Sequence, residues 1–320
     1  MRKEVLNSLL PDVGPADFGF VAPSDGSEVR ELEELGVNSF WVGGHVASPN
    51  PSPEAIVWLA RLIEQTRTAV VGTAALLLPL YPPAIVAKQL ADLDRAADGR
   101  LAIAVGVGGE YESDFEAAEV PIAERGSRMD ESIGLLREFW TGEPVTHDGR
   151  HHRFRDLRIH PAPLHDGGPP ILVTGRQPVA MRRAARIGDG WMPYLYSPER
   201  YARSVATVRA EAAAIDRSLD NFVWSVYVFV AVDDDSDRAR DNAVSFLGGT
   251  YNDEFHSMVD RVACVGDPDQ VVERLQGFID AGVEHFVLAP IGHDRQAVAR
   301  RLVTEIHPRL SSRDPERFSG

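Results

Sequence analysis

Apolar positions along the chain alternate between two kinds of run. Residues 70–78 (VVGTAALLL) are apolar at almost every position, the pattern of a strand covered on both faces. Pro79, Pro82 and Pro83 punctuate its exit, and Pro83 suits a first helical turn, where the missing N–H is no loss. From Ala84 the apolar residues Ile85, Val86, Leu90 and Leu93 recur near helical spacing, with Lys88, Asp92, Asp94 and Arg95 between them. Gly99 ends that helix and residues 101–107 form another apolar run. The stretch predicts one βαβ unit with parallel strands joined by a right-handed crossover.

The same alternation extends in both directions. Strands are predicted at residues 17–22, 39–42, 70–78, 101–107, 171–174, 190–193, 222–232 and 285–290. Helices are predicted between them at 24–35, 54–66, 84–98, 125–141, 178–187, 198–217, 235–247 and 268–281, with a closing helix at 294–306. Ser24 is the expected cap of the first helix and Ser197, followed by Pro198, that of the sixth. Met129, Ile133, Leu136, Phe139 and Trp140 give the helix at 125–141 an apolar face, a candidate dimer surface. Eight strand–helix units in 320 residues predict a single α/β domain over 1–320, a closed (β/α)8 TIM barrel. The pattern lapses only at 142–170, between strands four and five, where turn formers and the Asp148-Gly149 pair predict an inserted hairpin.

Composition narrows the function classes. The net charge of -15 disfavours nucleic acid as a partner. No apolar run reaches the roughly 18 residues of a membrane span, and Glu4, Asn7 and Pro11 interrupt any signal-peptide core. The single cysteine, Cys264, suits a reducing cytoplasm. The expectation is a cytoplasmic protein acting on a small molecule.

In a barrel the chemistry sits in the loops after the strands. His45 follows strand two, Tyr81 strand three, Glu110 and Tyr111 strand four, and Tyr194 and Tyr196 strand six. His45 and Glu110 share the mouth, and such a pair can handle protons, which makes them the candidate catalytic residues. Val107, Gly108 and Gly109 leave backbone N–H groups open to a ligand. Thr174, Gly175, Arg176 and Gln177 lie between a strand and a helix start, a place that favours an anion. The histidines at 147, 151, 152, 160 and 165 match no common zinc spacing, so no metal is expected. No serine-nucleophile elbow, Walker loop or dinucleotide fingerprint is present.

Four segments resemble the bacterial luciferase-like flavin monooxygenases and their relatives that use the deazaflavin coenzyme F420. They are LLLPLYPPAIVAKQLADLDRAADGR, AVGVGGEYESDFEAAEVPIAERGSRMDESI, VTHDGRHHRFRDLRIHPAP and PPILVTGRQPVAMRRAARIGDGWMP, with FWVGGH fitting the second strand. The resemblance implies a TIM barrel binding a flavin-type ring at its C-terminal mouth, often as a homodimer. It implies a bulge with a non-prolyl cis peptide at Thr73-Ala74-Ala75-Leu76, at the Ala74–Ala75 bond, on which the ring rests. It implies a phosphate held by Val107-Gly108-Gly109 and Thr174-Gly175-Arg176-Gln177. His45 matches the active-site histidine of sugar-phosphate dehydrogenases in the deazaflavin branch, and Glu110 lies near their active-site acid. Those enzymes carry an acid before the histidine, where this chain has Gly44.

The function implied by this resemblance is that of an F420-dependent oxidoreductase, moving a hydride between deazaflavin C5 and a small organic substrate. The alternatives are an FMN-dependent monooxygenase using O2 and a non-catalytic protein that binds flavin or F420.

Overall fold

The computed structural model describes residues 5, 7, 16–23, 26, 28–251 and 256–311. Its strands, in chain order, are β1 (Asp17–Val21), β2 (Ser39–Val42), β3 (Val70–Leu77), β4 (Leu101–Gly106), β5 (Val145–Asp148), β6 (Arg153–Leu157), β7 (Ile171–Thr174), β8 (Gly190–Met192), β9 (Val223–Val232), β10 (Cys264–Gly266) and β11 (His285–Pro290). The helices are α1 (Val29–Glu34), α2 (Ala55–Gln65), α3 (Pro83–Ala96), α4 (Glu112–Ala117), α5 (Arg125–Phe139), α6 (Pro178–Ile187), α7 (Pro198–Ala213), α8 (Ser236–Tyr251), α9 (Val259–Val262), α10 (Pro268–Asp280) and α11 (Arg295–Arg301).

Eight parallel strands close into a barrel in the order β1-β2-β3-β4-β7-β8-β9-β11, and β11 returns to β1. These are the eight strands that the continuous apolar runs predict. The β5–β6 hairpin forms a separate antiparallel pair inside the predicted insertion. Three elements escape the hydrophobic pattern: β10, which pairs with the end of β9 from Cys264↔Val230, the six-residue α4 and the four-residue α9. The predicted Ser24 cap lies outside the described residues, and α1 is described from Val29. The closing helix is α11, continued by a π-helical segment over Leu302–Ile306.

Two layers of packing hold the barrel. Inside it, Trp41, Val70, Ala102, Ala104, Leu172, Met192 and Val223 form one buried cluster. Outside, the apolar faces of the helices cover the strands. The Met129, Ile133, Leu136 and Phe139 side chains are fully buried in the chain's own core, and Trp140 donates from Nε1 to the Ala87 carbonyl at 3.1 Å. That face is therefore not the dimer surface its amphipathic pattern suggests, because α3 and the sheet already cover it. Burying such side chains contributes about 1.5–3 kcal/mol each, so the helix is committed to the barrel.

The floor of the barrel, at the N-terminal ends of the strands, is polar and closed. His285 is fully buried, with Nε2 2.8 Å from Ser39 Oγ and Nδ1 3.2 Å from Ser225 Oγ. Trp41 Nε1 donates to the same Ser39 oxygen at 2.9 Å. Among the described residues no carboxylate pairs with this imidazole, and burial pushes its pKa down to about 3. Cys264 is likewise buried, and desolvation pushes its thiol up to about 12, so it is inert.

Candidate active site

The mouth of the barrel is built from the exits of β2, β3, β4, β7 and β8. Ladder pairing between β3 and β4 slips between Ala74 and Leu76, and the Ala74–Ala75 peptide is cis, at the bond the resemblance implies. Ala74 and Ala75 are partly exposed while Leu76 is buried. The slip therefore turns two methyl groups toward the mouth as a low apolar ledge. Gly43 is needed beside it: a Cβ there would stand 2.7 Å from the Ala74 carbonyl oxygen. Gly106 does the same on the other side, where a Cβ would stand 2.9 Å from Thr174 Oγ1 and 3.3 Å from the Ala75 methyl. The ledge and the loops after β4 and β7 are thus one continuous surface.

The predicted ring and phosphate residues fall into two groups. Thr73 is fully buried and its hydroxyl donates to the Ala104 carbonyl at 2.8 Å, so its side chain stitches β3 to β4 and faces no ligand. Thr174 donates to the Val105 carbonyl at 3.0 Å and offers only backbone to the mouth. Val107, Gly108, Gly175 and Arg176 are half-buried, and Gly109 and Gln177 are exposed. Gln177 caps α6 with extended backbone, so the segment from Thr174 does end at a helix start.

His45 and Glu110 do come together. His45 Nε2 lies 3.8 Å from Glu110 Oε2, and the two side chains are 24% and 38% exposed. The third member of the group is Asp114, which lies beyond the last loop residue singled out from the sequence. Its carboxylate is 1% exposed and stands 2.7 Å from His45 Nδ1. Its other oxygen accepts the backbone N–H groups of Val46 at 2.7 Å and Ala47 at 2.9 Å. The Ser113 hydroxyl donates to the Ala47 carbonyl, and the His45 N–H donates to Ser52 Oγ at 3.0 Å. The first turn of α4 therefore grips the loop after β2. With a carboxylate opposite Nδ1, the ring proton belongs on Nδ1, and Nε2 is left facing Glu110 and the mouth.

Tyrosines frame the pair. Tyr111 packs edge-on against His45 with ring centroids 4.9 Å apart. Tyr194 donates from its hydroxyl to Glu110 Oε1 at 2.7 Å, and Arg176 lies 4.7 Å above the Tyr194 ring. Burial, and then the Glu110 charge, raise the pKa of Tyr194 and keep the phenol protonated. Tyr81 donates to Glu54 Oε1 at 2.5 Å. Tyr196 is buried against Trp191 and belongs to the core.

The histidines of the insertion have structural partners. His147 Nε2 lies 3.1 Å from Glu131 Oε1, His151 Nε2 lies 2.8 Å from Ser127 Oγ, and His165 Nδ1 lies 3.0 Å from the buried Asp94. Among the described residues no three His, Cys, Asp or Glu side chains converge as a metal set. Among them also, no helix is long and apolar enough to cross a membrane.

A sequence model described as luciferase-like monooxygenase matches residues 26–285. The chain is 27% identical to the F420-dependent glucose-6-phosphate dehydrogenase of Mycobacterium tuberculosis, over 92% of this chain and 97% of that protein. Its fold is similar to that of the F420-dependent tetrahydromethanopterin reductase from Methanopyrus kandleri, with TM-score 0.78 at 20% identity over 92% of this chain and 99% of the other. An F420-dependent secondary alcohol dehydrogenase, solved with an F420-acetone adduct, is similar with TM-score 0.79 at 20% identity, over 92% of this chain and 98% of that one.

Proposed function

Because the chain belongs to the luciferase-like monooxygenase family, we propose that it is an F420-dependent oxidoreductase acting on a small organic substrate. The observation that carries this is the His45 ring, held at Nδ1 by Asp114 and presenting Nε2 to Glu110 beside the Ala74–Ala75 ledge. The residues fit a flat ring with a phosphate. The ledge is made of methyl groups, Gly43 and Gly106 keep its two sides clear, and the loops at 107–109 and 174–177 lie next to it with open backbone.

The deazaflavin, when bound, supplies or accepts a hydride at C5. The protein's own part is to place the substrate and to move the proton that accompanies the hydride. His45 Nε2 is the proton-handling atom: it takes a hydroxyl proton during oxidation or returns one during reduction. Asp114 balances the imidazolium that forms and keeps the ring from turning. Glu110, fixed by the Tyr194 hydroxyl, is the second acid–base group on the path to solvent. Ala74 and Ala75 support the ring, and the backbone of Val107, Gly108, Gly109, Gly175, Arg176 and Gln177 holds the phosphate.

The similar proteins named for F420 favour this coenzyme over FMN. Equilibrium titration of the purified protein with each coenzyme separates the two. F420 binding at micromolar concentration or tighter, with weak or no FMN binding, is the expected result. Tight FMN binding without F420 binding would overturn the proposal in favour of an FMN-dependent, O2-using reaction. We also place the enzyme in the cytoplasm as a homodimer, and sedimentation equilibrium reads its oligomeric state.

A further inference from the structure

Four tyrosines have an acceptor for the phenol proton. Tyr81 donates to Glu54 Oε1 at 2.5 Å, Tyr194 to Glu110 Oε1 at 2.7 Å, Tyr196 to the Arg176 carbonyl at 3.2 Å and Tyr201 to the Ser225 carbonyl at 3.1 Å. Tyr227 differs from them. Among the described residues its hydroxyl makes no hydrogen bond. A phenol enclosed by protein ordinarily finds an acceptor, so this one is set for a partner from outside the chain. Burial raises its pKa, against a lowering by Arg295, and the Glu110 charge adds to the rise. The group is therefore a donor at neutral pH.

Its place in the barrel says where that partner comes from. Strand β9 runs for ten residues, and Tyr227, near its middle, is the one that is not buried. Alternation puts its side chain on the same face as Ser225, which meets His285 inside the barrel. The ring packs against the interior cluster that contains Trp41, Met192 and Val287. The floor is closed, so solvent reaches a mid-strand side chain inside the bore only from the mouth. Tyr227 pairs with Tyr194 in a parallel bridge and donates its N–H to the Pro193 carbonyl at 2.9 Å. It therefore stands level with the residue that holds Glu110. Around the closed sheet, β9 is four strands from β3 in either direction. Tyr227 thus faces the Ala74–Ala75 ledge from across the bore, while His45 after β2 and Glu110 after β4 flank the ledge on either side.

We propose that Tyr227 is a substrate-binding residue, whose phenol donates a hydrogen bond to a hydroxyl or carbonyl oxygen of the substrate from the side of the bore opposite the ledge. The proposal rests on the mouth being the hydride-transfer site, and it narrows the substrate to a molecule that carries such an oxygen. A ring resting on the ledge turns its free face toward Tyr227, so the substrate lies between the two. A hydroxyl that accepts from the phenol keeps its own proton for His45 Nε2, and a carbonyl oxygen accepts from the phenol directly. One donor and one acceptor then orient a single oxygen. A hydrocarbon in the same place would leave the phenol unpaired, which selects against it.

Tyr227→Phe removes one oxygen and keeps the ring, so it suits the test. Wild type and variant are prepared with an isotopic label at the tyrosine Cζ, and the resonance missing from the variant is that of Tyr227. Each is titrated with acetone and with isopropanol in three states: free of coenzyme, with F420 and with FMN. The Tyr227 resonance is expected to shift saturably with the probes. Those of Tyr196 and Tyr201, whose acceptors are backbone carbonyls, are expected to stay in place. Saturation transfer to the probes is expected to show about three- to tenfold weaker binding by Tyr227→Phe, the worth of one neutral hydrogen bond, with F420 affinity within about twofold of the wild type. The proposal is overturned if the probes leave the Tyr227 resonance unmoved in all three states, or if both proteins bind them equally. It is also overturned if a coenzyme alone shifts the resonance and the probes add nothing, because the acceptor then belongs to the coenzyme. A protein that fails to bind F420 sinks the coenzyme assignment, while the probe response in the other two states still decides the role of Tyr227.

Discussion

Strand β2 has a histidine environment at each end, and the two are opposites. At its first residue, Ser39 holds His285 in a closed pocket of hydroxyls and an indole, with no carboxylate paired to the ring among the described residues. Three residues beyond its last, His45 stands between Asp114 and Glu110 at a partly open mouth. The floor imidazole is packed as a neutral polar plug, and burial holds it so far below the usual histidine range that it carries no charge at neutral pH. The mouth imidazole has an anionic partner on each nitrogen and contact with solvent. The residue type is the same, and the difference in partners and exposure separates a packing group from a proton-handling one.

Removing the support of each ring in turn tests this contrast. His45→Ala is expected to lower kcat/KM by about 10²–10⁴-fold, the usual contribution of a positioned acid–base group, with little change in melting temperature or in F420 affinity. Turnover that survives at wild-type level would return His45 to the category of the floor histidine. Asp114→Asn tests the positioning beneath it. The amide oxygen can still accept both backbone N–H groups, but the amide nitrogen that replaces the other oxygen is a donor and no longer fixes the proton on Nδ1. A loss of about 10–100-fold in kcat with KM nearly unchanged is expected, in line with losses for partners that orient a histidine. Equal effects on kcat and KM would instead mean that Asp114 only shapes the loop at 45–52.

On the floor the corresponding loss is in stability. Ser39→Ala takes a hydrogen-bond partner from both His285 and Trp41 at a site without solvent. Urea unfolding is expected to show about 1–3 kcal/mol less stability, the penalty for leaving a buried polar group unpaired. Steady-state kinetics is expected to be unchanged. A kinetic defect larger than the stability defect would connect floor and mouth in a way their separation along the barrel does not suggest.

Legibility from sequence differed between the two regions for physical reasons. Barrel strands are buried on both faces, so their apolar runs are continuous and their order is readable. His45 and Glu110 are readable as well, because they directly follow such runs. Asp114 is not, since α4 is a single short acidic turn without apolar periodicity, and its partner lies 69 residues earlier. Thr73 misleads in the other direction: it sits beside the ledge residues in sequence, but alternation along β3 turns its hydroxyl into the sheet. The floor network is hidden because His285 opens an apolar run whose neighbours in space, Ser39 and Ser225, are distant in the chain.

A weaker effect is expected in how the floor responds to acid. In the unfolded chain a histidine titrates near its ordinary value of 6.5, while folded His285 does so at about 3. Between those values the unfolded state binds more protons, so this group makes the protein less stable as pH falls through the window. Asp17, paired in register with His285 across β1 and β11, has the opposite sign. Burial raises its pKa from 3.8 to about 6, against a lowering by the Asn38 side chain. Its contribution is fully present below the unfolded value near 3.8 and is lost as pH rises through about 6. From pH 6 down to 4 the two slopes therefore oppose each other and largely cancel. Asp17→Asn removes one of them and keeps the hydrogen-bonding shape. Relative to the wild type, its unfolding free energy is expected to fall more steeply with acid, by up to about 1 kcal/mol per pH unit across that range. Other carboxylates titrate equally in both proteins, so the difference between the two curves isolates this pair. Parallel curves would mean that the folded carboxyl of Asp17 titrates like an exposed one, and that the acid response of the floor belongs to His285 alone.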